Sequence, residues 1–109
     1  MKKLLTIIGF LAITGSLAAQ TEGKQYVEIK TSAQCGTCKA AIEKAVGNIE
    51  GVKVADLDLE TKIIGVKYDS AKTNLEAIRT AITAIGYDAD AVPADAKAYE
   101  GLHSCCKKE

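Results

Sequence analysis

The stretch VKVADLDLETKIIGVKYDSAKTNLEAIRTAITAIG, residues 52–86, changes its hydrophobic period partway along, and that change decides the fold. Up to Tyr68 the apolar residues recur at every second position. Ala55, Leu57 and Leu59 alternate with Asp56, Asp58 and Glu60, and Ile64, Val66 and Tyr68 follow in the same rhythm. A two-residue period lines one face of a strand. The pattern predicts a strand from Val52 to Glu60 and another from Ile64 to Tyr68. They are joined at Thr61-Lys62, a tight connection without the Gly that a primed hairpin turn prefers. Val52 and Val54 sit in the opposite phase, so a bulge is expected near Val54. Beyond Thr73 the spacing becomes helical, with Leu75, Ile78, Ile82 and Ile85 on one face. Thr73 or Asn74 caps the start and Glu76 lies in the first turn. Gly86 stands where a left-handed residue commonly ends a helix.

Working outward, Val27 and Ile29 alternate with Glu28 and Lys30, so Tyr26 to Thr31 is a predicted strand. A loop from Ser32 to Thr37 leads into a helix running from Thr37 or Cys38 to Asn48, with Ile42, Val46 and Ile49 at helical spacing. On the far side, Tyr87 to Val92 forms a weaker fourth strand, and Pro93 marks an edge or an end. The order is strand, helix, strand, strand, helix, strand. Neither helix stripe nor one sheet face can bury itself alone. The expected fold is therefore α+β, a ferredoxin-like βαββαβ sandwich with two helices on one face of a four-stranded antiparallel sheet. The domain is expected over residues 25–92. Residues 94–109 are small and polar and read as a flexible tail carrying a His/Cys cluster.

At the other end, Lys2 and Lys3 precede an apolar run, Leu4 to Ile13, broken only by Thr6 and Gly9, and then the small residues Ser16, Ala18 and Ala19. That order is the pattern of a secretory signal peptide over residues 1–18, cleaved near Ala18 or Ala19. The run is short for a membrane span, which takes roughly 20 apolar residues. The expected location is the periplasm, with no membrane association after cleavage. The 109-residue chain carries 14 basic and 14 acidic side chains, and removal of Lys2 and Lys3 leaves 12 against 14. Nothing in that balance favours nucleic acid, which calls for a clustered basic face. A single His excludes a metal site built on several histidines.

The sharpest chemical feature is Cys35-Gly36-Thr37-Cys38, two thiols three positions apart where a loop enters a helix. A helix N-terminus offers partial positive charge and free N–H groups, which favour thiolate over thiol. Lys39 adds positive charge beside the motif. Thiolates are soft ligands, suited to Cu(I), Hg(II) and also Zn(II). A single CxxC also serves dithiol redox enzymes, and a structural disulfide is a third reading. The second feature is His103-Ser104-Cys105-Cys106, three soft or borderline ligands near the C-terminus. Adjacent residues of an extended chain point apart, which would keep one ion from capturing both thiols. The tail could instead add ligands to the Cys35/Cys38 site, form a weaker site, make disulfides, or carry incidental thiols. Asp56, Asp58 and Glu60 read as a solvated sheet face. Asp88 and Asp90 read as exposed, and Lys107, Lys108 and Glu109 as solvating.

The loop with Cys35 and Cys38, the helix Lys39 to Ile49, the stretch from Gly51-Val52 through Thr61-Lys62, and the end Ile85-Gly86-Tyr87-Asp88-Ala89 together resemble the heavy-metal-associated domain. The likeness covers roughly residues 25–92. That family includes copper chaperones, the N-terminal domains of metal-pumping P-type ATPases and a periplasmic mercury-binding protein. The signal peptide makes the last the nearest in architecture. The resemblance implies a ferredoxin-like fold and one ion held by Cys35 and Cys38. It implies handover to a metal-transporting ATPase, an importer or an efflux component. Where the family has Gly-Met-x before its first Cys, this chain has Ser32-Ala33-Gln34, which implies a differently packed metal loop. Tyr87 matches an aromatic near that loop and equally fits a core position. The function expected is exported carriage of Cu(I) or Hg(II) as a dithiolate, with release by ligand exchange and no enzymatic step. The alternative is a thiol–disulfide oxidoreductase using the same pair. Against it stand a short chain and the placement of Pro93, the only proline, beyond the last predicted element.

Overall fold

A computed structural model describes residues 23–108; the expected signal peptide and Glu109 lie outside the described residues. Three strands, β1 (Lys24–Lys30), β2 (Val52–Asp58) and β3 (Ile63–Asp69), make an antiparallel sheet in the order β1-β3-β2. Helix α1 (Gly36–Gly47) links β1 to β2, and α2 (Leu75–Ala84) follows β3. A short helix α3 (Ala96–Glu100) and a 3-10 turn (Ser104–Cys106) close the chain. Among the described residues no helix is long and apolar enough to cross a membrane.

The register turns the sequence alternation into a single buried face. Val27 opposes Val66, Ile29 opposes Ile64, and on the other side Ala55 and Leu57 oppose the same two β3 residues. The ladder skips between Val52 and Val54, at the expected bulge. The extra residue is what lets Val52 and Ala55 both face inward while Val54 is exposed. Ile42 and Val46 of α1 and Ile78 and Ile82 of α2 join Ile29, Leu57, Ile64 and Val66 in one core, each essentially inaccessible to solvent. Burial of that kind contributes about 1.5–3 kcal/mol per large aliphatic side chain. The ends of α2 follow the sequence signals. The Asn74 carboxamide oxygen accepts from the Ala77 N–H at 2.8 Å, and Gly86 takes φ +104 just past the helix. The Thr61-Lys62 connection forms without glycine because Lys62 itself adopts φ +65, its N–H donating to the Asp58 carbonyl.

β2 is an edge strand, and α1 covers part of its open side. The Leu57 N–H donates to Glu43 Oε2 at 2.8 Å, and Lys39 Nζ donates to the Leu57 carbonyl at 2.8 Å while pairing with Glu43. Lys39, expected to lend its charge to the thiols, is instead engaged at β2, with Asp56 3.6 Å away as a second partner.

The fourth strand expected over Tyr87–Val92 does not form. A single antiparallel bridge joins Thr31 to Ala89, and the chain then folds back on itself as Ala89 pairs with Val92. Asp90 is the cause. It takes φ +55, which turns the backbone away from an extended path. Its carboxylate accepts from the Lys30 N–H at 3.0 Å, standing in for the carbonyl that a continuing strand would supply. The same side chain pairs with Arg79 at 3.0 Å, and Pro93 has no N–H to extend a ladder.

Candidate metal centre

Three segments converge at the N-terminal end of α1. The first is Thr31-Ser32-Ala33, the lead into the metal loop. The Thr31 hydroxyl donates to the Lys62 carbonyl at 2.9 Å and accepts from the Ala33 N–H at 3.2 Å. Ser32 Oγ accepts from the Asp88 N–H at 2.9 Å. Ala33 is fully buried. The loop therefore enters α1 from a fixed base, with Cys35 in extended backbone at the N-cap and Cys38 one turn later, facing the core. The second segment is Gly86-Tyr87, and the third is the C-terminal turn.

All four cysteines are free thiols, and they meet. Cys35 Sγ lies 3.4 Å from Cys38 Sγ, 3.4 Å from Cys105 Sγ and 3.7 Å from Cys106 Sγ, and the last two are 3.9 Å apart. Among the described residues the one group of three or more metal-type side chains with ligand atoms all within 4.8 Å of one another is Cys35, Cys105 and Cys106. His103 stands outside that group. It is exposed, and its carbonyl accepts from the Cys106 N–H at 2.8 Å to close the 3-10 turn. That turn also answers the geometric objection to adjacent cysteines. The objection holds for extended backbone, and here the backbone is helical, bringing both sulfurs toward Cys35.

The four thiols do not share one electrostatic environment. The Cys35 pKa falls to about 6. The Cys38 N–H is the strongest influence, although it makes no formal capping hydrogen bond, and contacts with Cys105, Cys38 and Cys106 add to it. Cys35 is thus a thiolate at neutral pH, at a helix N-terminus. Burial, seconded by contact with Cys38, pushes Cys106 up to about 12, and contact with Cys35 raises Cys105. The Cys35 thiolate is favoured while Cys105 and Cys106 are held toward the thiol. A soft cation would displace those protons. Tyr87 is at once a core residue, 2% exposed, and a neighbour of the sulfurs. Burial, then hydrogen bonding with Cys106 and Cys38, raises its phenol well above the ordinary value, so it stays a neutral donor.

The residues that seat the C-terminal turn escape a sequence reading. Asp88 and Lys108, taken as exposed and solvating, pair at 2.9 Å. The Lys108 N–H donates to the Tyr99 hydroxyl at 2.8 Å, and the Ala94 N–H donates to Asp88 Oδ1 at 2.9 Å. Gly86 permits the approach of α3. A Cβ there would stand 3.0 Å from the Ala98 carbonyl. The signal that marks this segment as more than a loose tail is Asp95 ahead of Ala96-Lys97-Ala98-Tyr99-Glu100, an N-cap residue before good helix formers; its carboxylate accepts from the Ala98 N–H at 2.9 Å.

The comparison with known proteins agrees with the geometry. The family model for the heavy-metal-associated domain matches residues 31–88, which contain Cys35, Cys38 and Tyr87 and stop short of Cys105 and Cys106. The copper chaperone CopZ of Staphylococcus aureus (strain JH9) is 44% identical over 54 residues, spanning 50% of this chain and 79% of that protein. Oxidized MerP from Ralstonia metallidurans CH34 superposes with a TM-score of 0.60 at 29% identity, over 62% of this chain and 94% of that one. The water-soluble region of the P-type ATPase CopA from Bacillus subtilis superposes at 0.58 with 33% identity, over 61% of this chain and 44% of that one. With the family model matching more than half of the chain and the CxxC pair inside the match, the chain belongs to the heavy-metal-associated domain family.

Proposed function

We propose that this protein is an exported, periplasmic carrier of a soft metal ion, Cu(I) or Hg(II), with Zn(II) a weaker candidate. Cys35 and Cys38 capture the ion as a dithiolate and surrender it by ligand exchange. The observation that carries this reading is the Cys35–Cys38 pair itself, with sulfurs 3.4 Å apart at a helix N-terminus and Cys35 already ionised at neutral pH. An all-sulfur donor set favours soft ions over hard ones. The likeness to a copper chaperone supports Cu(I), and the likeness to the water-soluble region of the P-type ATPase CopA supports a transporter of that class as the partner. Mercury rests on the likeness to MerP. Export rests on the N-terminal sequence pattern.

In this mechanism the ion meets the Cys35 thiolate first. The buried Cys38 then closes the chelate, and its proton leaves to solvent. Handover begins when a thiolate of the acceptor enters the coordination sphere before Cys35 or Cys38 departs. No oxidation state changes, and each departing thiolate is stabilised by the helix terminus or takes a proton. Anaerobic titration of the reduced chain with Cu(I) in a chelator-buffered competition tests the reading. One ion should bind tightly, and Cys35→Ser should weaken binding by at least roughly a hundredfold, as loss of a first ligand exceeds the 10–100-fold effect of outer-shell changes. Unchanged affinity in that variant would place the metal elsewhere.

A further inference from the structure

The C-terminal turn lies beyond the part of the chain that the family model matches, yet it delivers two sulfurs to the metal loop. The triangle Cys35–Cys105–Cys106 has sides of 3.4, 3.7 and 3.9 Å. For a metal–sulfur bond of about 2.3 Å, two sulfurs in linear coordination stand about 4.6 Å apart, in trigonal coordination about 4.0 Å, and in tetrahedral coordination about 3.8 Å. The observed sides approach the trigonal and tetrahedral spacings and fall well short of the linear one. The C-terminal end is seated by Lys108 on Asp88, by the Lys108 N–H on Tyr99 and by α3 against Gly86, and none of these contacts involves sulfur.

We propose that Cys35, Cys105 and Cys106 form a three-sulfur site that clamps the soft ion after Cys35 and Cys38 have captured it. This rests on the metal-carrying reading above and adds to it a second coordination state and a function for the C-terminal segment. Cys35 is common to both sets, so the ion passes from one to the other without leaving the protein. Cys105 and Cys106 enter as thiolates, releasing their protons to solvent, and Cys38 is free to leave and recover its proton. Acceptance of the ion by a partner requires the reverse exchange, and the C-terminal turn therefore slows release until an acceptor thiol competes for it. Tethering supplies the added ligands at high effective concentration, which is the source of the retention.

The test uses the reduced full chain loaded anaerobically with one equivalent of Cu(I), and the Cys105→Ala/Cys106→Ala double variant treated alike. X-ray absorption at the copper edge should count three sulfur neighbours in the wild type and two in the variant. Competition with a chromogenic Cu(I) chelator should show the variant's dissociation constant raised, and its rate of copper loss increased, by roughly tenfold or more. Two sulfurs in the wild type, or three in both proteins, or equal affinities, would overturn the clamp while leaving the dithiolate carrier intact. Failure of the carrier reading would show separately, as wild-type copper binding that Cys35→Ser does not weaken. Matching circular dichroism of the two proteins establishes that the variant is folded.

Discussion

The sheet-and-helix body and the C-terminal segment are held by different forces. The body closes over aliphatic side chains, Ile29, Ile42, Val46, Leu57, Ile64, Val66, Ile78 and Ile82, with few polar atoms among them. The segment after Pro93 buries one cysteine, part of Leu102 and little else of apolar character. It is seated by an ion pair, a handful of hydrogen bonds and the absence of a side chain at Gly86. Apolar burial contributes about 1.5–3 kcal/mol per large aliphatic side chain and is not weakened by ionic screening, whereas exposed ion pairs contribute about 0–1 kcal/mol. The teaching is that the two halves of the thiol cluster sit on supports of unequal strength. Cys35 and Cys38 are fixed with the fold, and Cys105 and Cys106 are expected to be released before it unfolds.

Four measurements probe the two supports separately. Ile78→Ala opens a cavity in the body and should cost about 2–5 kcal/mol in chemical denaturation; a loss under 1 kcal/mol would mean the core is not the dominant support. Gly86→Ala forces a Cβ onto the Ala98 carbonyl at a positive φ and should cost roughly 1–3 kcal/mol. Its signature is local: Cys106, 2% exposed, should become alkylated as readily as Cys105 while the near-native circular dichroism of the body persists. A third measurement separates the two supports by pH. Alkylation of Cys35 in the reduced apo protein should have a midpoint near pH 6, since a depressed pKa leaves the reactive thiolate populated above that pH and protonated below it. In Cys105→Ala/Cys106→Ala the midpoint should rise without reaching that of a free thiol. The Cys38 N–H, the largest influence, belongs to the body and remains. The smallest effect is expected from Lys108→Ala, a slight loosening of the docked segment seen as faster alkylation of Cys106 with no change in the stability of the body. Added salt should mimic it in the wild type by screening the Lys108–Asp88 pair, and should change nothing further in the variant.

How far the sequence could be read follows the same division. Elements stabilised by periodic burial were legible: the alternation on β2 and β3, the bulge at Val54, the Asn74 cap and Gly86 all carry local signals that the fold honours. The Cys35/Cys38 motif was legible as well, as two thiols placed where a loop enters a helix. What escaped was whatever depends on one side chain replacing a backbone partner. Asp90 ends the sheet by turning left-handed and offering its carboxylate to Lys30, and alternation gives no hint of either act. Lys39 adjoins the motif in sequence, yet its reach carries it to Leu57. The approach of Cys105 and Cys106 to Cys35 stands among several alternatives in the sequence, but its seating over about 70 positions hangs on Asp88, Tyr99 and Lys108, residues whose types are ordinary on any surface.

The covering of β2 by Glu43 and Lys39 has a consequence for how copies of the protein meet one another. A bare strand border is a template on which further chains can stack. With the Leu57 N–H and carbonyl both taken by side chains of α1, that border offers no recruitable register at its centre. Asp90 does the same for the Lys30 end of the opposite border. Edge-to-edge stacking of one copy on another is thereby disfavoured at these two places.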